Sequence, residues 1–349
     1  MNMSGTLRHT ALVLTLLAVT ALTGCADAVR ADSSGAGPVK VRLGYFPNLT
    51  HATAIVGVEQ GIFAEHLGNT ATLEAKTFNA GPEAVTALFS GAIDAAYLGP
   101  NPAINAWAQS RGQAVRIVAG AASGGAFLVT RPGIDKPEDL RGTTIASPQL
   151  GNTQDVALRY WLREAGLATT RDGGGDVRVK PQDNAVTVDT FRSGLIDGAW
   201  VPEPTASRLV AAGGRVLVDE RDLWPGGRFV TTHLLVSTGF LTKHRDVVRA
   251  LVAGSVAANA FINADPARAQ ALVSTGIGKL TGKPLDLALI QAAWPALTFL
   301  DDPLASSLRA SAAHAEAVDL LKPVKLDGIH DLSLLDEVLA ANGKAQVGR

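Results

Sequence analysis

Cysteine is almost missing: the 349 residues contain one, Cys25. Such a chain can form no intrachain disulfide and no cysteine-rich metal site, and once that thiol is modified it has no cysteine nucleophile. Stability must therefore come from apolar cores. Aromatic residues are scarce at 5%, and neither sign of charge prevails, with 31 Lys and Arg against 32 Asp and Glu. The basic residues are scattered and not interleaved with aromatics, so nucleic acid is not an expected partner. The histidines, at 9, 51, 66, 233, 244, 314 and 330, include no pair at the spacing of a helical metal site, so neither a metal nor a cofactor is expected. There is no serine-hydrolase elbow, and Gly124-Gly125 and Gly173-Gly174-Gly175 read as turns, not phosphate-binding loops.

Long apolar runs are few. Ala11 to Leu22 is too short to span a bilayer comfortably, and Val247 to Ala264 carries Arg249, Asn259 and Asn263, which suits a helix buried along one face. The first run follows Arg8 and His9 and closes on Leu22-Thr23-Gly24-Cys25, which resembles the bacterial lipobox. Residues 1–24 are then a signal peptide and Cys25 the lipid attachment site. Two acyl chains hold a protein on a membrane where one holds it only marginally. The expected location is extracytoplasmic, with the membrane reached through the lipid anchor. The alternative is an ordinary secretory signal followed by an incidental thiol. Residues 25–38, small, polar and glycine-bearing, read as a flexible tether.

The remaining chain is long enough for two domains. Its periodicity predicts a strand over 39–46, a helix over 51–67, a strand over 71–78, a helix over 82–90, a strand over 92–98, a helix over 103–111 and a strand over 115–119. Strands alternating with helices imply a largely parallel, doubly wound α/β sheet. Phe127 to Thr130 carries the chain across a hinge into a second unit. That unit has a helical turn at 137–140, strands at 144–147, 177–180, 199–201 and 215–218, and helices at 153–165 and 185–191. Thr231 to Ser237 reads as the return crossing. The helical tail, 240–342, needs a host, and the first unit is the natural one. Lobe 1 is thus expected from 39–126 plus 236–349, and lobe 2 from 127–235.

An internal repeat supports two like units. Ser90-Gly91-Ala92-Ile93-Asp94-Ala95-Ala96 recurs as Ser193-Gly194-Leu195-Ile196-Asp197-Gly198-Ala199. Each copy follows a helix and leads through a strand to a proline-rich loop, Gly99-Pro100-Asn101-Pro102 or Pro202-Glu203-Pro204. The glycine stops a helix, the aspartate sits in the turn, and the carboxyl end of the strand points at a crevice.

With Gly44-Tyr45-Phe46-Pro47, Gln60-Gly61-Ile62-Phe63, Phe78-Asn79-Ala80-Gly81-Pro82, Asp139-Leu140-Arg141-Gly142, Arg163 to Leu167 and both repeats, the sequence resembles the nitrate, sulfonate and taurine branch of ABC-transporter solute-binding proteins. The likeness runs from about Val39 to Phe261 and lies in the order and spacing of the pieces. It implies a type II periplasmic-binding-protein fold, two doubly wound lobes joined by two hinge crossings, and a small-molecule ligand in the cleft. It also implies an ABC permease and its ATPase as partners, a monomer, and no enzymatic step. The alternatives are a membrane-tethered sensor domain and a thiamine-pyrimidine binding protein or synthase on the same fold. Synthases of that kind carry a cysteine-rich motif that this chain lacks.

Loops at strand ends that open helices are natural anion sites, because unpaired N–H groups and the helix dipole favour negative charge. Candidate ligand residues are Asn48 and His51 after the first strand, Asn101 in the first repeat loop, and Asn152, Thr153 and Gln154 at the helix after Thr144 to Ser147. Asn152 is equally read as a plain N-cap, and Asp155 in the same turn would compete with a bound anion. Glu203 either binds the amine of a zwitterion or is a turn acid, and Trp200 either walls an aliphatic chain or is core. Ser123 and Thr232, with His233, sit near the crossings.

Overall fold

The computed structural model describes residues 37–347, so the signal-peptide and lipid-attachment readings, Cys25 included, lie outside the described residues. The chain runs β1 (Val39–Tyr45), a 3-10 turn (Leu49–His51), α1 (Ala52–Glu59), α2 (Ile62–Leu67), β2 (Ala71–Thr77), α3 (Gly81–Phe89), β3 (Ala95–Leu98), α4 (Pro100–Gln109) and β4 (Val115–Gly124). It continues with β5 (Ala126–Thr130), β6 (Thr144–Ser147), α5 (Thr153–Glu164), β7 (Arg178–Pro181), α6 (Asn184–Arg192), β8 (Gly198–Pro202), α7 (Thr205–Ala211) and β9 (Arg215–Asp219). Then come β10 (Val230–Ser237), α8 (Thr238–Lys243), α9 (Arg245–Ala264), α10 (Pro266–Thr281), α11 (Leu287–Ala293), β11 (Leu297–Phe299), α12 (Ala305–Ala317) and α13 (Ser333–Ala341). The helix expected over 51–67 is broken at Gly61, whose φ of 76° no β-branched or bulky residue adopts easily.

The strands form a six-stranded sheet, β11-β4-β10-β3-β1-β2, and a five-stranded sheet, β7-β6-β8-β5-β9. We call each sheet with its helices a half. The expectation of largely parallel sheets needs correcting, because both are mixed: β1 is parallel to β2 and β3, and β6 to β7 and β8, whereas β10 and β5 run against their neighbours. The reason is topological. β5 and β10 arrive from the opposite half, enter their sheet at the edge where the other strands end, and so must run the other way. The same arrangement aims the carboxyl ends of β1, β3, β4, β6, β8 and β9 at one seam. β10 pairs with β3 and β4 along its length, so residues 230–235, expected in the second lobe, are part of the larger sheet.

Each sheet has apolar clusters on both faces. One face of the larger sheet packs Leu43, Tyr97 and Val118 against α1, α2, α9, α10 and α13, and the other packs Ile93, Leu98 and Ile117 against α3, α4 and α12. Leu128, Ile145 and Trp200 pack against α5 in the smaller half, with Val129, Ala199 and Val201 facing α6 and α7. Full burial of one such side chain contributes about 1.5–3 kcal/mol. α9 is long and apolar enough to cross a membrane by composition, but its Val248, Leu251, Val252 and Val256 side lies in the core. The tail is not wholly helical: β11 adds a strand beside β4, and α11 and α12 also reach the smaller half, touching α7 and α5.

The repeat is structural. Gly91 and Gly194 hold φ of 69° and 77°, and the next N–H in each copy reaches back to Ala87 or Thr190 across the helix end. Asp94 accepts a bond from the Arg42 N–H of β1, and Asp197 one from the Thr144 N–H of β6. Each aspartate thus pins its turn to the neighbouring parallel strand.

Candidate functional site

Three helices begin at the seam. α3 starts at Gly81, α4 at Pro100 after Gly99, and α5 at Thr153 after Asn152; none has a side-chain cap on its first N–H groups. The approach is close. A Cβ on Gly99 would lie 2.3 Å from Thr153 Oγ1 and 3.3 Å from the Thr231 carbonyl oxygen. One on Gly81 would strike Pro102 at 2.1 Å and come within 3.3 Å of Asn152 Oδ1. Glycine at 99 lets the halves meet, and at 81 it chiefly makes room for Pro102 of α4 in the same half; neither is needed for a special φ. Gln149 Nε2 donates to Glu83 Oε1 at 2.8 Å, and Asn105 Nδ2 to the Gly151 carbonyl at 3.4 Å.

Thr153 is 6% exposed, and its Oγ1 has no hydrogen-bond partner. Leaving a buried hydroxyl unpaired costs about 1–3 kcal/mol. α4 contributes dipole but few donors, because Pro100 and Pro102 lack N–H groups and Asn101 supplies the remaining one. α5 is the better donor.

Asp155 does not spoil that helix start. Its Oδ1 accepts from Ser147 Oγ at 2.6 Å, its Oδ2 from the Gly151 N–H at 2.9 Å, and Arg159 Nε lies 3.1 Å and 3.2 Å from the two oxygens. With Arg159 2% and Asp155 0% exposed, the carboxylate is engaged by partners within the smaller half. Competition between Asp155 and a bound anion, expected from sequence, is removed by a partner one helical turn away.

The other candidates divide. His51 accepts the Phe46 N–H on Nδ1 at 3.3 Å, which leaves its proton on Nε2, and burial lowers its pKa to about 3. It is a neutral donor. Asn48 accepts from Thr50 Oγ1, and the neighbouring Leu49 N–H donates to the Glu203 carbonyl across the halves. Gln154 is buried in the first turn of α5. Thr232 lies on β10, buried, with Oγ1 unpartnered. Ser123 Oγ is occupied by the Phe229 N–H, and Asn101 Nδ2 by the Ser311 carbonyl.

Trp200 is corrected outright: it is 0% exposed and its Nε1 donates to Glu220 Oε2 at 2.7 Å inside the smaller half, so it is core and not a wall. The Glu203 carboxylate accepts from the N–H and Oγ of Ser207, tying down the start of α7, and burial raises its pKa. Sequence reasoning left Gly81 out of the site. The signal was there in Gly81-Pro82, a glycine and helix-opening proline in the short loop after a strand. Among the described residues no group of His, Cys, Asp or Glu is arranged to hold a metal ion.

Two α/β halves meeting across helix starts form an architecture that solved solute-binding proteins share. The chain belongs to the NMT1-like family, which it matches over residues 34–277. It is 29% identical over 216 residues to the taurine-binding periplasmic protein of Escherichia coli (strain K12), 61% of this chain and 64% of that one, just under two thirds of the relative's length. In fold it is similar to the alkanesulfonate-binding protein SsuA from Xanthomonas axonopodis pv. citri bound to MOPS, with a TM-score of 0.70, 20% identity and coverage of 86% and 100%. It is likewise similar to the periplasmic nitrate-binding protein NrtA from Synechocystis PCC 6803, with a TM-score of 0.73, 15% identity and coverage of 87% and 89%.

Proposed function

We propose that the chain is the extracytoplasmic solute-binding component of an ABC importer, capturing a small organic solute with an anionic head at the seam. The two halves act as lobes that turn about Gly124-Gly125 and the 220–229 segment. They close with the head group on the α5 N–H groups, Asn152 and Thr153, facing Gly81 and Gly99. The observation that carries this reading is the buried, unpartnered Thr153 hydroxyl at an uncapped helix start, where an anion would supply the missing partner.

A cavity of about 310 Å³ is lined by Pro82 and Gly151, the chain neighbours of Gly81 and Asn152. Val85, Phe89, Leu150 and Leu320 give it apolar walls and Arg171 adds a cation, which suits a short carbon chain behind a sulfonate or a zwitterion such as taurine. The likeness to taurine-, alkanesulfonate- and nitrate-binding proteins supports the same class. The loaded protein would pass its solute to a permease and its ATPase as a monomer held on the membrane by acylated Cys25, with no bond of the solute broken.

Titration calorimetry against taurine, ethanesulfonate, nitrate and a thiamine-pyrimidine precursor tests the proposal. Saturable heat from a sulfonate, with affinity about five-fold weaker in Thr153→Val, is the expected result. Heat only from the pyrimidine would move the assignment to the alternative class, and heat from none would overturn it.

A further inference from the structure

We propose that α12 is a strap that ties the halves together beside the 220–229 crossing, with His314 as its pin. One side of α12 belongs to the larger half. Leu308 and Ala312 pack with Ala103, Ile104 and Trp107; Ser307 Oγ accepts the Val230 N–H at 2.9 Å, and the Ser311 carbonyl accepts from Asn101 Nδ2 at 3.1 Å. Its other side belongs to the smaller half. The His314 ring stacks on Tyr160 of α5 at 3.7 Å with planes 9° apart, and lies 5.3 Å from the ring of Trp224.

The end of the strap is held electrostatically. Arg163 Nη1 donates to the Ala317 carbonyl at 2.7 Å, and Arg171 Nη1 reaches the Asp319 carbonyl at 3.5 Å. Two cations from the smaller half therefore meet the negative end of a helix rooted in the larger one. Beside the pin the packing is loose: a cavity of about 450 Å³ lies between Trp224, Pro225 and Arg228 and the first turns of α12. The contact between α12 and the smaller half is thus concentrated in the His314 stack and the arginine ties.

The backbone marks the ends of the strap. Leu304 and Asp319, just before and just after α12, have φ of 51° and 58°, a region that side-chain-bearing residues enter only when the surroundings hold them there. Because Asn101, in the first turn of α4, is bonded to the Ser311 carbonyl, the strap also sets the helix start that meets the proposed solute. Parting the halves then requires His314 to leave Tyr160 and Trp224.

The test is an interlobe distance, measured without solute, so that failure of the strap and failure of the solute assignment remain separate. Full-length protein carrying Cys25→Ser is spin-labelled at Glu65→Cys and Val186→Cys, exposed positions on the two halves, and its distance distribution is recorded. His314→Ala should broaden and lengthen it, with the separated population rising about two- to ten-fold, the range for losing one aromatic pair. His314→Phe, which keeps a ring in place, should restore the parental distribution, and Arg163→Gln with Arg171→Gln should broaden it again. A distribution in His314→Ala that matches both the parent and the exposed control Lys322→Ala would overturn the strap. So would broadening that His314→Phe fails to reverse.

Discussion

The two copies of the Ser-Gly-x-Ile-Asp unit share a turn and part company one strand later. Both end a helix on a left-handed glycine, and both send an aspartate to the N–H of the neighbouring parallel strand. Beyond β3, Gly99 and two prolines open a ten-residue helix that presses bare backbone against Thr153. Beyond β8, Glu203 folds its carboxylate back onto Ser207 and closes its own seven-residue helix. A duplicated scaffold thus carries one helix start without a side-chain cap and one sealed by its own side chain, so a likeness of sequence does not make the two helix starts equivalent.

That contrast can be broken most sharply at Gly99. Gly99→Val puts atoms where Thr153 Oγ1 already sits, and should abolish solute heat in calorimetry while lowering stability by about 1–3 kcal/mol, the usual cost of overpacking. Normal binding by a folded Gly99→Val protein would show that the first copy is not the open one.

The next effect is a pH dependence in the second copy. Burial raises Glu220, bonded to Trp200 on β8, from 4.5 to about 7. A carboxyl raised in the folded state stabilises fully below its unfolded value and loses that contribution as pH rises through the folded one. Between pH 4.5 and 8 the parent should therefore lose about 3 kcal/mol relative to Glu220→Gln. The buried rings of His51 and His233 and the half-buried ring of His330, lowered to about 3, 3 and 4, act in the opposite sense, costing stability as pH falls from 6.5 toward those values. Urea melts of parent and variant over this range isolate Glu220, because the histidine trend is common to both.

The paired aspartates come third. Asp94 also holds the Arg42 guanidinium at 2.6 Å with 9% side-chain exposure, whereas Asp197 lies 3.9 Å from Arg131 with 35% exposed. Asp94→Ala should cost about 2 kcal/mol and Asp197→Ala about 1, the exposed pair being discounted for solvent screening. Equal losses in thermal melts would mean that the turn, not the ion pair, dominates.

The smallest effects separate the two helix starts most cleanly. Thr153→Val removes a buried hydroxyl that lacks a partner, so stability should rise by about 1 kcal/mol while solute affinity falls about five-fold. Glu203→Gln should do the reverse, weakening the α7 cap by about 0.5–1 kcal/mol and leaving affinity alone. If the two variants exchanged phenotypes, the open and sealed starts would have been assigned the wrong way round.

Much of this was legible beforehand because its causes are local. Apolar periodicity placed strands and helices to within a few residues, and Ser-Gly-x-Ile-Asp announced its own turn. Gly61 breaking the 51–67 helix was legible in principle, a glycine at a helix end, but apolar spacing on both sides masked it. Trp200 was ambiguous because a tryptophan with a nearby acid suits a ligand wall or a buried bond equally well, and only the position of Glu220 decides. Asp155 was misleading for the same reason: its charge is visible in sequence, but the side on which Arg159 approaches it is not.

By itself, the sequence determined the alternation of elements, the duplicated turn, the near-absence of cysteine and the helix starts at which anions are favoured. Each depends on residues within a few positions of one another, where chain geometry is nearly the whole cause. Only the tertiary structure decided that β5 and β10 run against their sheets, that Gly81 and Gly99 face Asn152 and Thr153, and that α12 lies across both halves. Those relations join residues tens to hundreds of positions apart, and they follow from which surfaces pack together, which no local pattern encodes.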